Sequence, residues 1–532
     1  MKAHAHLSPP PGDPAPPIEI ELKLAVLAAD ESTVRQRLRR FARMSGTRTS
    51  RMRLETVYFD TPDGELAARQ SALRVRQSKR RWVQTLKFGS AESALSARGE
   101  IELPLSASGA TVPTPDPAAL IAAGAPGWFA EVAPQAVVQR FRTAFERECA
   151  VIALPQGRVE IALDVGTIGA GGEALERHSP ICEIEFELLD GHSKAITAAA
   201  GRLLGGEDEV RLALLPLPAS KALRGERLAR GEAPLAVQQA SATRFSLAAE
   251  AANEGELLCR VAGSAADIVA ANLQCLRSGY DSTAVHQARV GLRRLRSAVR
   301  LLAHAECWPA SLTLQLSGLA RTLGEARDLD VLLTTTWPRI ERALAAHDSD
   351  GLLVDAAKAL HARLEQRRQQ AQQTACALAT SPDVAAMLID LYAFAATRSA
   401  TGPRLTDKHA RKLVLERIEG VLRRSRRFRK LDVAAQHRVR ILAKRARYAV
   451  ELLSARLPAK TARTLGKVLT TLQDRLGLLN DAEVALGLVL PMVDDAALAR
   501  ALIDWRMQLR DDYVDDVARD LGTLKNALDR LD

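Results

Sequence analysis

The hydrophobic period of this chain changes near residue 228, from strand-like alternation to helical spacing, and the change marks two units of different kinds. Before that point, apolar residues recur at every second position in a series of short runs. The first run sets Ile18, Ile20, Leu22 and Leu24 on one face and Glu19, Glu21 and Lys23 on the other. From about Phe245 onward the spacing becomes helical, Ala and Leu dominate, and strand-like alternation stops. With 532 residues the chain can bury two substantial cores. The pattern therefore predicts a β-rich unit over 18–228, a linker over 229–244 and a helical unit over 245–532. The proline-rich stretch 1–17 reads as a disordered leader.

The polar faces of the alternating runs are unusual in composition. Leu73-Arg74-Val75-Arg76 carries two arginines, Val83 to Lys87 a lysine, and Arg98-Gly99-Glu100-Ile101-Glu102 an arginine with two acids. Arg158 to Asp164 repeats the mixed-charge design, and Cys182 to Leu188 places Glu183, Glu185 and Glu187 on one face. Faces turned to water carry loosely scattered charge; paired acids and paired bases on successive strands point to a shared polyanion and metal site. Forked guanidiniums match phosphate oxygens, and clustered carboxylates offer hard ligands for Mg²⁺ or Mn²⁺.

These segments, together with Tyr58-Phe59-Asp60-Thr61-Pro62, resemble the CYTH family of triphosphate tunnel metalloenzymes from about Ile18 to Leu228. The resemblance implies an eight-stranded antiparallel barrel around a charged tunnel. It implies Glu19, Glu21, Glu183 and Glu185 as metal ligands. Lys23, Arg74, Arg76, Lys87, Arg98, Arg147 and Lys221 would bind substrate. Catalysis falls to Glu19, Glu21 and Lys23, and which glutamate orients the attacking water stays open. The expected reaction is metal-dependent hydrolysis of inorganic triphosphate. The alternatives are an organic triphosphate substrate (thiamine triphosphate, or ATP in a cyclisation) and a polyphosphate-binding adaptor with little turnover.

The helical half contains a repeat. His286, Arg289, Arg293, Arg296 and Arg300 form one stripe, and His437, Arg440, Lys444, Arg447 and Glu451 form another, each in steps of three and four and offset by 151 residues. Leu323-Gly324 with Arg327-Asp328 follows the first stripe, and Leu476-Gly477 with Asn480-Asp481 follows the second. This half holds 43 Lys and Arg against 33 Asp and Glu over 251–532, whereas the first 250 residues are nearly neutral. Such an excess is a polyanion footprint. The heading histidines are expected to add charge at mildly acidic pH. The words Val285 to Arg296, Leu323 to Asp328, His437 to Tyr448 and Leu472 to Val484 resemble the CHAD family, the conserved histidine α-helical domain. That resemblance implies two pseudo-symmetric four-helix bundles whose basic surface binds inorganic polyphosphate through His286, Arg289, Arg293, Arg296, His437, Arg440, Lys444 and Arg447.

Composition narrows the remaining classes. Only 4% of residues are aromatic, without aromatic-basic interleaving, which argues against nucleic acid as the main ligand. Neither a signal-like run nor a membrane-length apolar window is evident, so no membrane partner is expected. Cysteines 149, 182, 259, 275, 307 and 376 are scattered, the pattern of reduced thiols in a cytoplasm, and the CHAD resemblance implies association with polyphosphate granules there.

Overall fold

The computed structural model describes residues 18–78, 81–89, 93–105, 112–132, 136–171, 176–205, 210–248, 251–302, 308–346, 348, 351–397 and 402–529. The leader and Cys307 lie outside the described residues. Two compact units part between Ala236 and Val237, eight residues past the expected start of the linker.

In the first unit eight antiparallel strands close on themselves. They are β1 (Ile18–Ala25), β2 (Ser50–Asp60), β3 (Ala72–Ser78), β4 (Arg81–Phe88), β5 (Leu95–Leu105), β6 (Val138–Leu154), β7 (Gly157–Ala170) and β8 (Arg177–Gly191). The order is β5-β4-β3-β2-β6-β7-β8-β1, and β1 pairs back onto β5 to complete the barrel. A two-residue strand, β9 (Leu215–Pro216), pairs with the far end of β1.

The barrel is apolar outside and charged inside, and the alternation of each strand enforces both. Leu22 and Leu24 of β1 are fully buried on the outer face, where α1 (Glu31–Met44) and α2 (Lys194–Gly205) pack over the strands. Leu73, Leu86 and Ile101, one from each of β3, β4 and β5, join Leu120 and Phe129 in a separate outer core. Each such side chain contributes about 2 kcal/mol by leaving water, so the register that turns these residues outward also forces the alternate, charged positions inward. A third helix, α3 (Lys221–Ala229), lies on β6, β7 and β8. The Ser220 hydroxyl caps it by accepting from the Leu223 amide at 3.2 Å. Gly225 sits so close to Phe141 that an added Cβ would lie 2.2 Å from the ring.

The second unit is helical and duplicated. Its first part comprises α4 (Glu254–Cys275), α5 (Ser282–Leu301), α6 (Ala310–Val331), α7 (Leu352–Ala377) and α8 (Pro382–Ala395). Its second part comprises α9 (Asp407–Arg424), α10 (Val433–Leu453), α11 (Ala459–Val489) and α12 (Ala496–Asp529). The repeat is visible in the caps: Asp281 accepts from the first turn of α5 as Asp432 does from that of α10. α5 and α10, the two stripe-bearing helices, pack on each other. Among the described residues no single helix is long and apolar enough to cross a membrane.

Candidate functional site: a charged tunnel and a basic helix crossing

The barrel encloses a cavity of about 650 Å³. Register explains its lining, because inward residues on neighbouring strands face acid against base. Glu19 stands opposite Arg98, Lys87 opposite Glu100, Lys23 opposite Glu185, and Arg147 opposite Asp164. Glu19, Glu21, Lys23, Arg74, Arg76, Lys87, Arg98, Arg147, Glu185 and Lys221 all line the cavity, so the structure brings nearly the whole expected set together. Glu183 is fully buried in the wall behind them, held by Lys221 at 2.5 Å and by Arg224.

Among the described lining residues, seven carboxylates face seven cations, and the formal balance is zero. The distribution is uneven. Lys221 Nζ sits among Asp164 at 2.7 Å, Glu183 at 2.5 Å and Glu185 at 2.9 Å, while Arg147 grips Asp164 at 2.7 Å and Glu185 at 2.5 Å. Burial opposes ionisation there, yet Lys221 and Arg147 hold the Glu185 carboxyl well below its usual range. Across the tunnel the opposite occurs. Burial, reinforced by Glu21 and Glu100, keeps Glu19 above the usual range even with Lys87 bonded to it. Glu187 is pushed up to about 7 by burial and then by Glu19, with Glu160 adding to it. Register aligns Glu21, Glu187 and Glu160 side by side on three adjacent strands.

A divalent cation fits this side of the tunnel on chemical grounds. Two of its donors, Glu19 and Glu187, are held above the usual carboxylate range by burial and by neighbouring acids, and a hard cation would relieve that cost. The carboxylates of Asp164, Glu183 and Glu185 lie within 4.8 Å of one another and also match such an ion. In this structure Lys221 occupies their centre. On the basic wall the Nε–H groups of Arg74, Arg76 and Arg98 are buried without an acceptor. These are donors poised for an anion.

Sequence reading missed several members of this site. Asp164 and Glu160 were visible only as part of a mixed-charge run, and Glu187 only as the third acid on the β8 face. Tyr58 lines the tunnel and stacks on Phe141 with ring centroids 4.4 Å apart. It stands opposite Arg74 across the β2–β3 register and helps keep that guanidinium charged despite burial.

In the helical unit the two stripes meet where α5 crosses α10. Burial first, then Arg440, Arg293, Arg289 and Arg447, push the Lys444 ammonium down to about 7. Arg440 is depressed likewise, by burial and by Arg293, against the pull of Asp481. The Nε–H groups of Arg293, Arg440 and Arg447 are buried without an acceptor. Arg289 is more occupied: it donates to Asp328 at 3.0 Å and to the Gly324 carbonyl at 2.5 Å. The Leu-Gly word of the first repeat thus seats this arginine, through the carbonyls of both Leu323 and Gly324. Arg296 belongs elsewhere, beside Arg300 and Arg445, a cluster that also includes Arg417. His437 pairs with Asn480, Nδ1 to Oδ1 at 2.9 Å. One expectation is corrected: burial with Arg327, Arg293 and Arg289 nearby pushes His286 down to about 4, so it stays neutral at mildly acidic pH.

A closed barrel around an acid-and-base tunnel, followed by a duplicated helical unit with converging basic stripes, defines a two-part architecture of charged sites. Residues 17–211 match the CYTH domain and residues 260–490 the CHAD domain, so the chain carries a CYTH domain followed by a CHAD domain. It is 35% identical over 177 residues to an inorganic triphosphatase of Haemophilus influenzae, a match covering 33% of this chain and 46% of that protein. The match thus spans less than half of the relative's length. Among solved structures, the CHAD domain from the plant Ricinus communis is 29% identical, covering 54% of this chain and 96% of that one with a TM-score of 0.46. A Hippeastrum protein assigned as an adenylyl cyclase, with a dominant triphosphatase activity, is 19% identical and covers 40% of this chain and 96% of that one, with a TM-score of 0.27.

Proposed function

We propose that the barrel hydrolyses inorganic triphosphate with bound Mg²⁺ or Mn²⁺, and that the helical unit binds inorganic polyphosphate. The observation that carries the first reading is the zero formal charge of the tunnel lining. A ligand with several negative charges gains nothing from a neutral wall unless cations enter with it. Glu19, Glu21 and Glu185, with Glu187 beside them, would hold those ions, whose chemistry is to neutralise phosphoryl oxygens and lower the pKa of bound water. Arg74, Arg76 and Arg98 donate to the phosphate chain, Lys87 and Lys23 balance the acids next to it, and Arg147 and Lys221 fix the far end. The named activity of the Haemophilus relative supports the choice of inorganic triphosphate.

Polyphosphate binding rests on the half-buried cluster of Arg289, Arg293, Arg440, Lys444 and Arg447, whose mutual repulsion a polyanion would relieve. The free cysteines of both units fit a reducing cytoplasm, the compartment this reading assigns. The test is phosphate release by the full chain from tripolyphosphate, ATP, thiamine triphosphate and long-chain polyphosphate, with and without Mg²⁺ or Mn²⁺. Fastest release from tripolyphosphate, abolished by chelator, supports the reading; faster turnover of either organic substrate refutes it.

A further inference from the structure

The second helical repeat contains a groove of about 580 Å³ between α10, α11 and α12. Its floor is apolar, built from Leu476, Leu479 and Ala482 of α11 and Leu509 of α12, with Val433 and Ala434 at the start of α10. Its rim is cationic: Arg438 and Arg440 from α10 face Arg506 and Arg510 from α12, with His437 also lining the α10 side. Glu483 is the single carboxylate among the described lining residues, and it takes one bond from Arg506, Nη1 to Oε1 at 3.0 Å. The Nε–H groups of Arg506 and Arg440 remain buried without an acceptor. The groove also opens onto the first turn of α10, whose aligned peptide dipoles favour negative charge.

The first repeat shows what closes such a groove. The counterpart of Glu483 is Asp330, which is only 4% exposed and receives bonds from the Tyr280 hydroxyl and, at 3.0 Å, from Gln372 of α7. Arg327 there takes the place of Asn480, and Leu431 stands where Tyr280 would be in the second repeat. One copy is sealed by its own side chains; the other keeps an apolar slot with cations at its edge.

We propose that this groove binds a small amphipathic anion, a phosphate or carboxylate head on an apolar tail, with the head held by Arg440 and Arg506 and the tail lying along Leu476, Leu479 and Leu509. Neither inorganic polyphosphate, which has no apolar part, nor a neutral hydrocarbon satisfies both surfaces. This site is independent of the tunnel and of the triphosphatase reading.

Calorimetric titration of the full chain with decyl phosphate, below its micellar concentration, tests the proposal against inorganic phosphate and decanol. Decyl phosphate should bind about tenfold or more tighter than either, because each probe alone satisfies only one half of the site. Ala434→Trp, at an exposed position on the groove edge, should fill the slot and weaken binding by about tenfold or more while circular dichroism stays unchanged. Glu483→Gln should tighten binding, since it removes the one acid and frees Arg506. Decyl phosphate binding no tighter than inorganic phosphate overturns the proposal, as does undiminished binding by the correctly folded Ala434→Trp protein.

Discussion

At the scale of single residues, the tunnel divides its charges into structural and available ones. Lys221, which also lines the tunnel, has a structural role: its side chain, 9% exposed, neutralises part of a cluster in which Asp164 and Glu183 have no access to water. Replacing it by Met should cost about 3–5 kcal/mol of stability, because buried carboxylates would lose their partner. Urea unfolding measures this, and a loss under about 1 kcal/mol would mean that Arg147 and Arg224 suffice. Glu19 is available: it is bonded to Lys87 yet sits above its usual titration range. Glu19→Gln should therefore abolish most phosphate release from tripolyphosphate with little effect on the unfolding midpoint. Near-normal turnover at saturating metal would remove Glu19 from the ligand set. Arg74→Ala should mainly raise the substrate concentration needed, as Arg74 offers a buried, unaccepted Nε–H to the phosphate chain.

At the scale of elements, much of the site was legible because β-alternation has a period of two, so one buried apolar residue fixes where its neighbours point. Glu19, Glu21, Lys23, Arg74 and Arg76 followed directly from Leu22 and Leu73. Asp164 and Glu187 did not, since their roles depend on pairing between β7 and β8, where a register shift at Arg158/Val159 cannot be read from either strand. Lys221 was named on the family resemblance alone, because alternation along a strand cannot place it. It is the first residue of α3, and only the packing of Gly225 on Phe141 aims it into the tunnel. Gly225→Ala should displace α3 and cost about 1–3 kcal/mol, checked by thermal unfolding together with phosphate release. The depressed titration of His286 comes first from burial and then from Arg327 on a different helix, and periodicity along α5 reveals neither.

The α5–α10 crossing has a pH signature of its own. Lys444 faces Arg440 and Arg447 on its own helix, Arg289 and Arg293 on α5, and Asp481 on α11. Its folded pKa of about 7 lies below the ordinary 10.5, so the unfolded chain binds more protons between those values and stability from this group rises with pH across that window. A bound polyanion would restore the higher value. Binding of long-chain polyphosphate at pH 8 should then take up protons, seen as a buffer-dependent heat in calorimetry, and Lys444→Met should remove that dependence. A wild-type heat that does not vary with buffer would contradict the placement of Lys444 at the site.

At the scale of the whole molecule, the two proposed chemistries fall in separate compact units. Reversing Arg289, Arg293, Arg440 and Lys444 to Glu in the full chain should abolish retention on polyphosphate and leave tripolyphosphate hydrolysis intact. Wild-type retention should fall steeply with added salt, as expected when a flexible polyanion is held through several cations. Retention that persists in the reversed protein would move the polyphosphate site elsewhere.

The closure of the barrel through β1 also bears on how the chain is made. β1 is the first described strand to leave the ribosome, but it needs both β5 and β8, and β8 ends at Gly191. At roughly 5–20 residues per second, its second partner arrives on the order of ten seconds later or more. Throughout that wait β1 is an unpaired edge, the kind of segment that recruits foreign strands. Glu19, Glu21 and Lys23 give it alternating charge on one face, so the side chains proposed to hold substrate in the finished protein also keep the nascent one from pairing with its neighbours.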